Sequence, residues 1–258
     1  MPSIAIVTGA SSGLGREFVR RIDAGEAGAI DEIWVIARRA ERLESLVRTT
    51  SHVVRPFCMD LTDPVSYDIL ESALSETPTA RVALLVNNAG AGTFGSFARG
   101  SRDDVKLMLS LLVRAPVELI YRTLPFMRQG SRIINVASVA AFMPQPHLAV
   151  YSACKRFVLD ISRSLDAELG DVGIHVTAVC PKFMSTEFLD HPGDAGAATR
   201  MTAIGFERVG DVARAALRAS RAGRDLCIPS LDMKALYGAS RLLPYRAVLA
   251  CERILGII

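Results

Sequence analysis

The sequence predicts an α/β fold: a single doubly wound domain whose mainly parallel sheet of seven strands carries helices on both faces. Two observations predict it. Short apolar, β-branched runs alternate with helical patterns along most of the chain, an alternation that makes successive strands parallel and buried. The first run leads at once into a glycine-rich turn, Gly9-Ala-Ser-Ser-Gly13-Leu-Gly15, and then into a helical pattern. At 258 residues, half of them hydrophobic, the chain is long enough to bury a sizeable core in one unit. That unit is expected to span 1–258, with a core over about 3–230 and a helical tail over about 231–258.

The first strand is the run Ser3 to Thr8. After it, Gly9, Gly13 and Gly15 permit a tight turn and close backbone approach, and the helix N-terminus offers unpaired N–H groups to a pyrophosphate; a plain strand-turn-helix link is the alternative. The second strand, Glu32 to Ala37, ends in Arg38 and Arg39. An acidic residue there would bond a ribose 2′-hydroxyl, whereas two cations suit a 2′-phosphate or a solvated basic loop. Residues 53–59 form the third strand, and Asp60 beyond it is placed to bond an adenine edge or to cap the helix that begins near Asp63-Pro64. A fourth strand, Val82 to Val86, precedes Asn87-Asn-Ala-Gly90, a turn composition. Residues 103–128 read as one long helix with Leu107, Leu111, Leu112, Ala115, Leu119 and Leu124 in an apolar stripe, kinked or broken at Pro116.

The fifth strand, 132–137, ends at Ser138, whose hydroxyl faces the crevice where open α/β sheets bind ligands. A helix from about 149 to 169 places Tyr151 and Lys155 at i, i+4 on one face. A nearby cation lowers a phenol from its ordinary pKa of ~10, which makes tyrosine a usable acid or base; a surface packing pair is the other reading. The sixth strand is 173–180. Residues 182–205, with Phe183, Met184, Phe188 and Leu189 among glycine and proline, have the composition of a flap over an apolar ligand. A helix over 209–221 and a strand over 226–229 complete the sheet.

The net charge is +3, with cations and anions interleaved, so no nucleic-acid partner is expected. No apolar run reaches the roughly 18 residues of a membrane span and the N-terminus lacks a leader pattern, so the expected location is cytoplasmic. Cys58, Cys154, Cys180, Cys227 and Cys251 are odd in number and widely spaced, as expected of mostly buried structural thiols. Neither they nor the four histidines show metal-ligand spacing, and no metal is expected.

Taken together, TGASSGLG (8–15), NNAG (87–90), Ser138 and Tyr151-x-x-x-Lys155 resemble the short-chain dehydrogenase/reductase family over roughly residues 3–230. The resemblance implies a Rossmann-type subunit that uses a nicotinamide cofactor and assembles as a homodimer or homotetramer through its two long helices. It implies that Thr8, Gly9, Ser11, Ser12, Gly13, Leu14 and Gly15 cradle the pyrophosphate, that Asp60, Leu61, Asn87, Ala89 and Gly90 hold the adenosine, and that Pro181 and Thr186 flank the nicotinamide. Arg38 and Arg39 resemble the positions that select NADP(H) over NAD(H). By the same resemblance Tyr151 exchanges the proton, Lys155 lowers its pKa and holds the nicotinamide ribose, and Ser138 bonds the substrate oxygen.

Two positions depart from the family pattern. Leu112 stands where the family has an asparagine that helps hold a relay water, and Lys182 stands where a glycine follows the proline. Lys182 is expected either to crowd the carboxamide pocket or to add a cation beside the cofactor. The expected activity is therefore NADP(H)-dependent hydride transfer to or from an apolar carbonyl or secondary alcohol, steroid-like or acyl in character; the alternative is a cofactor-binding sensor or scaffold with little turnover. Phe142, Met143, Phe183, Met184 and Phe188 are the expected substrate-pocket residues. In the tail, four cations face Glu252 alone, and Tyr245, Val248, Leu249, Cys251, Leu255 and Ile258 fall to one side of a helix. Such a helix packs on the subunit or its partner, or makes a weak contact with a membrane surface.

Overall fold

The computed structural model describes residues 2–254 other than Pro78, His191, Pro192 and Ala203. Strands and helices follow in the order β1 (Ser3–Thr8), α1 (Gly13–Asp23), β2 (Glu32–Ala37), α2 (Ala40–Thr49), β3 (Val53–Cys58), α3 (Val65–Glu76), β4 (Arg81–Asn87), α4 (Arg102–Leu109), α5 (Ala115–Thr123), β5 (Arg132–Val136), α6 (Ala149–Leu169), β6 (His175–Val179), β7 (Phe183–Met184), α7 (Ala195–Thr202), β8 (Phe206–Glu207), α8 (Val209–Arg221), β9 (Leu226–Cys227), α9 (Leu231–Leu242) and α10 (Tyr245–Ile254). Seven strands form one parallel sheet in the order β3-β2-β1-β4-β5-β6-β9. The doubly wound Rossmann-type fold read from the sequence is the one observed.

Alternation within single strands builds the two layers. In β1, Ala5 and Val7 join Phe18, Val19 and Ile22 of α1 and Val212 and Ala216 of α8 on one face. Ile4 and Ile6 join Tyr67, Leu70 and Leu74 of α3 and Leu119 of α5 on the other. The chain winds outward one way from β1 to β3 and the other way from β4 to β9, so the loops after β1 and β4 diverge and leave a crevice at the strand tips. The Thr8 hydroxyl ties those tips together: it donates to Val86 O at 3.2 Å and accepts from the N–H groups of Asn88 and Ala89 at 2.9 and 3.0 Å.

Three elements differ from the sequence expectation. The helix expected over 103–128 is α4, a π-helical turn at Ser110–Arg114, α5 and a short 3₁₀ turn at Leu124–Phe126. Pro116 has no N–H to offer the Leu112 carbonyl, and the Ala115 N–H reaches back five residues to Ser110 O, widening the turn around Leu112. The last sheet strand is only Leu226–Cys227. The segment expected as a flap over 182–205 contains regular elements among its described residues: β7 pairs in parallel with β8 just beyond it, and α7 falls between them in sequence.

The thiols also differ in part: Cys154, Cys180 and Cys227 are buried, but Cys58 at the end of β3 is exposed. The tail is two helices rather than one. Met233, Leu236 and Tyr237 of α9 pack on the core, whereas Leu242, Leu243 and Tyr245 are exposed. Of the apolar positions expected on the tail's packing face, Val248, Cys251, Leu255 and Ile258 lie outside the described side chains. Among the described residues no helix is long and apolar enough to cross a membrane, and no cluster of potential metal ligands occurs.

Candidate active site

A cleft of about 770 Å³ opens along the C-terminal tips of the strands. Its near end is built by the turn after β1. Gly9 and Gly13 have φ of +65° and +51°, and a Cβ on Gly9 would stand 2.8 Å from Asn88 Nδ2. A Cβ on Gly15 would stand 2.2 Å from Gly9 O. Only glycine lets the turn fold this tightly against β4 and α1. No side chain caps the N-terminus of α1, and Ser11, Ser12, Gly13 and Leu14 line the cleft there, so the first N–H groups of the helix face a space suited to a pyrophosphate. The residues present therefore fit the dinucleotide that the sequence implies.

Of the other residues expected at this end, Gly9, Arg38, Arg39, Asp60, Leu61, Ala89 and Gly90 line the cleft. Thr8, Gly15 and Asn87 do not; they form the frame behind it. Thr8 clamps β1 to β4, Gly15 allows the close helix approach, and the Asn87 amide donates to Asn135 Oδ1 at 2.8 Å inside the sheet. Asp60 turns its carboxylate to the Thr62 N–H and hydroxyl, both at 2.9 Å, which fixes the loop before α3 without capping the helix. Ala37 ends β2 with no acidic side chain, and the cations beyond it are three rather than two, since Arg42 in the first turn of α2 lines the cleft with Arg38 and Arg39. Arg39 donates to Ser11 Oγ and Ser12 Oγ at 2.9 and 3.0 Å and pairs with Glu187 at 2.8 Å; Arg42 pairs with the same carboxylate.

The far end brings Ser138, Tyr151 and Lys155 together. Ser138 leaves β5 in an extended conformation, and its Oγ accepts the Ala140 N–H at 3.1 Å. Tyr151 lies in the first turn of α6 with its hydroxyl hydrogen-bonded to that of Ser138. Lys155 is one turn further on, only 5 % exposed, with Nζ donating to Val136 O at 2.6 Å and 5.7 Å from the centre of the Tyr151 ring. Burial pushes the Tyr151 phenol up to about 12 against the opposing bond from Ser138, and burial pushes the Lys155 ammonium down to about 8. The phenol thus moves opposite to the expected lowering, because loss of water outweighs the Ser138 bond, while the Lys155 ammonium donates to the backbone and not to the phenol.

Substrate-end residues divide. Phe183, Met184 and Phe188 line the cleft with Pro181 and Thr186. Phe142 and Met143 do not: both are buried in the core beneath α9, with the Phe142 ring 4.9 Å from that of Tyr237. Sequence reasoning missed Leu107, Leu111, Leu148, Ile204 and Leu236, which complete an apolar wall; their sequence signal is no different from that of core leucines. Gly92 is another omission. A Cβ there would stand 2.7 Å from Phe188 Cζ and 2.9 Å from Tyr151 Cδ2, so glycine allows these rings to meet, with centres 5.7 Å apart.

The two departures from the family pattern are also placed. Lys182 lines the cleft beside Pro181, and its charge is partnered: its Nζ pairs with Asp232 of α9 at 2.7 Å and donates to Ile204 O at 3.3 Å. Leu112 is 2 % exposed in the π turn, packed with Met108 and Cys154, and its Cδ2 lies 3.2 Å from where a Gly90 Cβ would be.

A doubly wound sheet with a glycine cradle at one end of the crevice and a Ser-Tyr-Lys set at the other defines a nicotinamide-dependent oxidoreductase. The short chain dehydrogenase family model matches residues 3–194, and the chain belongs to the short-chain dehydrogenase/reductase family. It is 35% identical over 199 residues to sulfoacetaldehyde reductase 2 of Chromohalobacter salexigens, covering 73% of this chain and 75% of that one. Among solved structures it resembles a short-chain dehydrogenase from Sphingobium yanoikuyae in complex with NADPH, with 28% identity, a TM-score of 0.77 and coverage of 93% and 94%. It also resembles the bulky-bulky ketone specific alcohol dehydrogenase from Comamonas testosteroni, with 26% identity, a TM-score of 0.74 and coverage of 98% and 94%. The reading as a sensor or scaffold finds no support in these enzymes.

Proposed function

We propose that this protein is an NADPH-dependent reductase of apolar ketones, able to run in reverse on the corresponding secondary alcohols. The observation that carries this reading is the hydrogen-bonded pair Ser138 and Tyr151, backed by buried Lys155 and set in a cleft wall of Leu107, Leu148, Phe183, Met184 and Phe188. When bound, the nicotinamide supplies the hydride. Ser138 and Tyr151 hold the carbonyl oxygen between two hydroxyls, which orients the carbon and stabilises the charge growing on the oxygen. With its pKa raised to about 12, the phenol keeps its proton at neutral pH, so Tyr151 is set to give a proton, the direction that reduction needs. Lys155 retains its charge below about pH 8 and stabilises the phenolate left behind.

Four observations support the finer choices. Ala37 offers no acid to a ribose 2′-hydroxyl, while Arg38, Arg39 and Arg42 surround the position beyond it. The Sphingobium protein was solved with NADPH, and the Comamonas enzyme is specific for bulky-bulky ketones, in keeping with the apolar wall here. Leu109, Tyr121 and Phe157 are exposed on α4, α5 and α6, which favours a homo-oligomer assembled on those helices. The test is NADPH consumption across a panel of apolar ketones, with Tyr151→Phe as control. That variant should bind NADPH within about twofold of the unmodified protein and lose on the order of 100-fold or more in turnover. Equal use of NADH, or activity confined to small charged sugars, would refute the reading.

A further inference from the structure

We propose that Glu187 is a specificity-determining residue: its carboxylate occupies the 2′-phosphate seat, so that a 2′-phosphate enters only by displacing Glu187 and with it the turn that covers Tyr151. This rests on the NADPH reading above. Arg39 and Arg42 reach Glu187 across 148 and 145 positions of sequence, Arg39 at 2.8 Å, and Ser12 at the start of α1 hydrogen-bonds the same carboxylate. All four line the adenosine end of the cleft. A guanidinium pair that donates to one carboxylate can donate to a phosphate by the same geometry, and the dianion satisfies two cations where Glu187 satisfies one charge.

The seat is linked to the chemistry because Glu187 belongs to a 3₁₀ turn, Glu187–Leu189, whose neighbouring residues reach the rest of the cleft. Thr186 packs over Gly13, its Cγ2 only 3.2 Å from where a Cβ would be. Phe188 lies on the Tyr151 ring with centres 5.7 Å apart. Three consecutive side chains thus touch the pyrophosphate turn, the cation seat and the tyrosine. When a 2′-phosphate takes Arg39 and Arg42, Glu187 loses both partners and the turn is released from Tyr151. A cofactor without that phosphate leaves the carboxylate in place and the tyrosine covered.

The test uses the full-length protein and two probes that differ only in the 2′-phosphate, adenosine 2′,5′-bisphosphate and adenosine 5′-monophosphate. Because both ion pairs are partly exposed, removing the competing charge with Glu187→Gln should tighten the bisphosphate by about 3- to 30-fold in calorimetric titration. The monophosphate should change by less than about twofold. In the unmodified protein, hydrogen exchange of the 186–190 backbone should accelerate when the bisphosphate binds and not when the monophosphate binds, the reverse of ordinary ligand protection. If the bisphosphate binds tighter than the monophosphate but Glu187→Gln changes neither and exchange slows, the displacement is overturned while the NADPH reading survives. If the bisphosphate gains nothing over the monophosphate in either protein, the cation seat and the NADPH reading fail together.

Discussion

Replacing Leu112 by asparagine tests how the proton reaches Tyr151. Leu112 is buried in the π turn, and a small cavity of about 10 Å³ lies between it, Asn87 and Lys155, about the size that holds one water. Asn87 Oδ1 is buried nearby without a hydrogen-bond partner among the described residues. An amide at 112 would place a second polar group beside that space and give Lys155 a hydrogen-bonded route that leucine cannot provide. The change forfeits about 1.5–3 kcal/mol of apolar burial. An incompletely paired amide adds about 1–3 kcal/mol. The total of about 2.5–6 kcal/mol corresponds to a fall in Tm of about 5–24 °C for a domain of this size. A hydrogen bond with a net worth of about 0.5–1.5 kcal/mol in the rate-limiting proton step would raise turnover by about 2- to 13-fold. The assay is steady-state reduction of a ketone at several pH values, well below the variant's Tm, alongside calorimetric NADPH binding. Unchanged turnover at every pH, with NADPH binding intact and Tyr151→Phe inactive, would refute a relay role for position 112.

Other outcomes follow from the same geometry. Gly92→Ala should lower kcat/KM by about tenfold or more with little change in Tm, because the added methyl collides with Phe188 and Tyr151 at 2.7 and 2.9 Å; kinetics within twofold of the unmodified protein would contradict this contact. Ketone reduction should fall as pH rises through about 8, since the Lys155 charge is lost there while Tyr151 stays protonated to about 12; a profile flat to pH 10 would count against it. Removing residues 243–258 should abolish co-sedimentation with phosphatidylserine vesicles and leave reduction of a soluble ketone unchanged. Leu243 and Tyr245 are exposed beside Arg246, and Leu242, left in place, is 85% exposed; failure of the full chain to sediment would rule the contact out.

Much of the fold was legible because strand alternation and glycine placement are local signals. The run Ser3–Thr8 with its glycine turn, and Tyr151 with Lys155 at helical spacing, required nothing from the rest of the chain. The π turn was hidden, since Pro116 announces a break but not whether the backbone kinks or widens. Phe142 and Met143 were misplaced because apolar residues shortly after Ser138 carry no mark of which face they take; that is decided by α9, far along the chain. The phenol's upward shift was equally invisible, as it depends on how much water the whole cleft excludes rather than on the distance between two side chains. Arg42 and Glu187 illustrate the same limit: each reads as a surface charge until the fold brings them together.

The Lys182 bridge joins two late segments of the chain at the substrate end of the cleft. Leu107, Leu111 and Leu148 share the substrate wall with the β7–β8 insert and Leu236 of α9, and the insert and α9 are pinned to each other by Lys182 and Asp232. The insert is thus fastened at both ends of the cleft, by Lys182 to α9 and by Glu187 to Arg39 and Arg42. Exchanging residues 182–207 and 231–242 as a matched pair, with Thr186, Glu187 and Phe188 retained, offers a way to re-cut the substrate range without disturbing the cofactor end, while exchanging either segment alone would leave an unmatched charge at the seam.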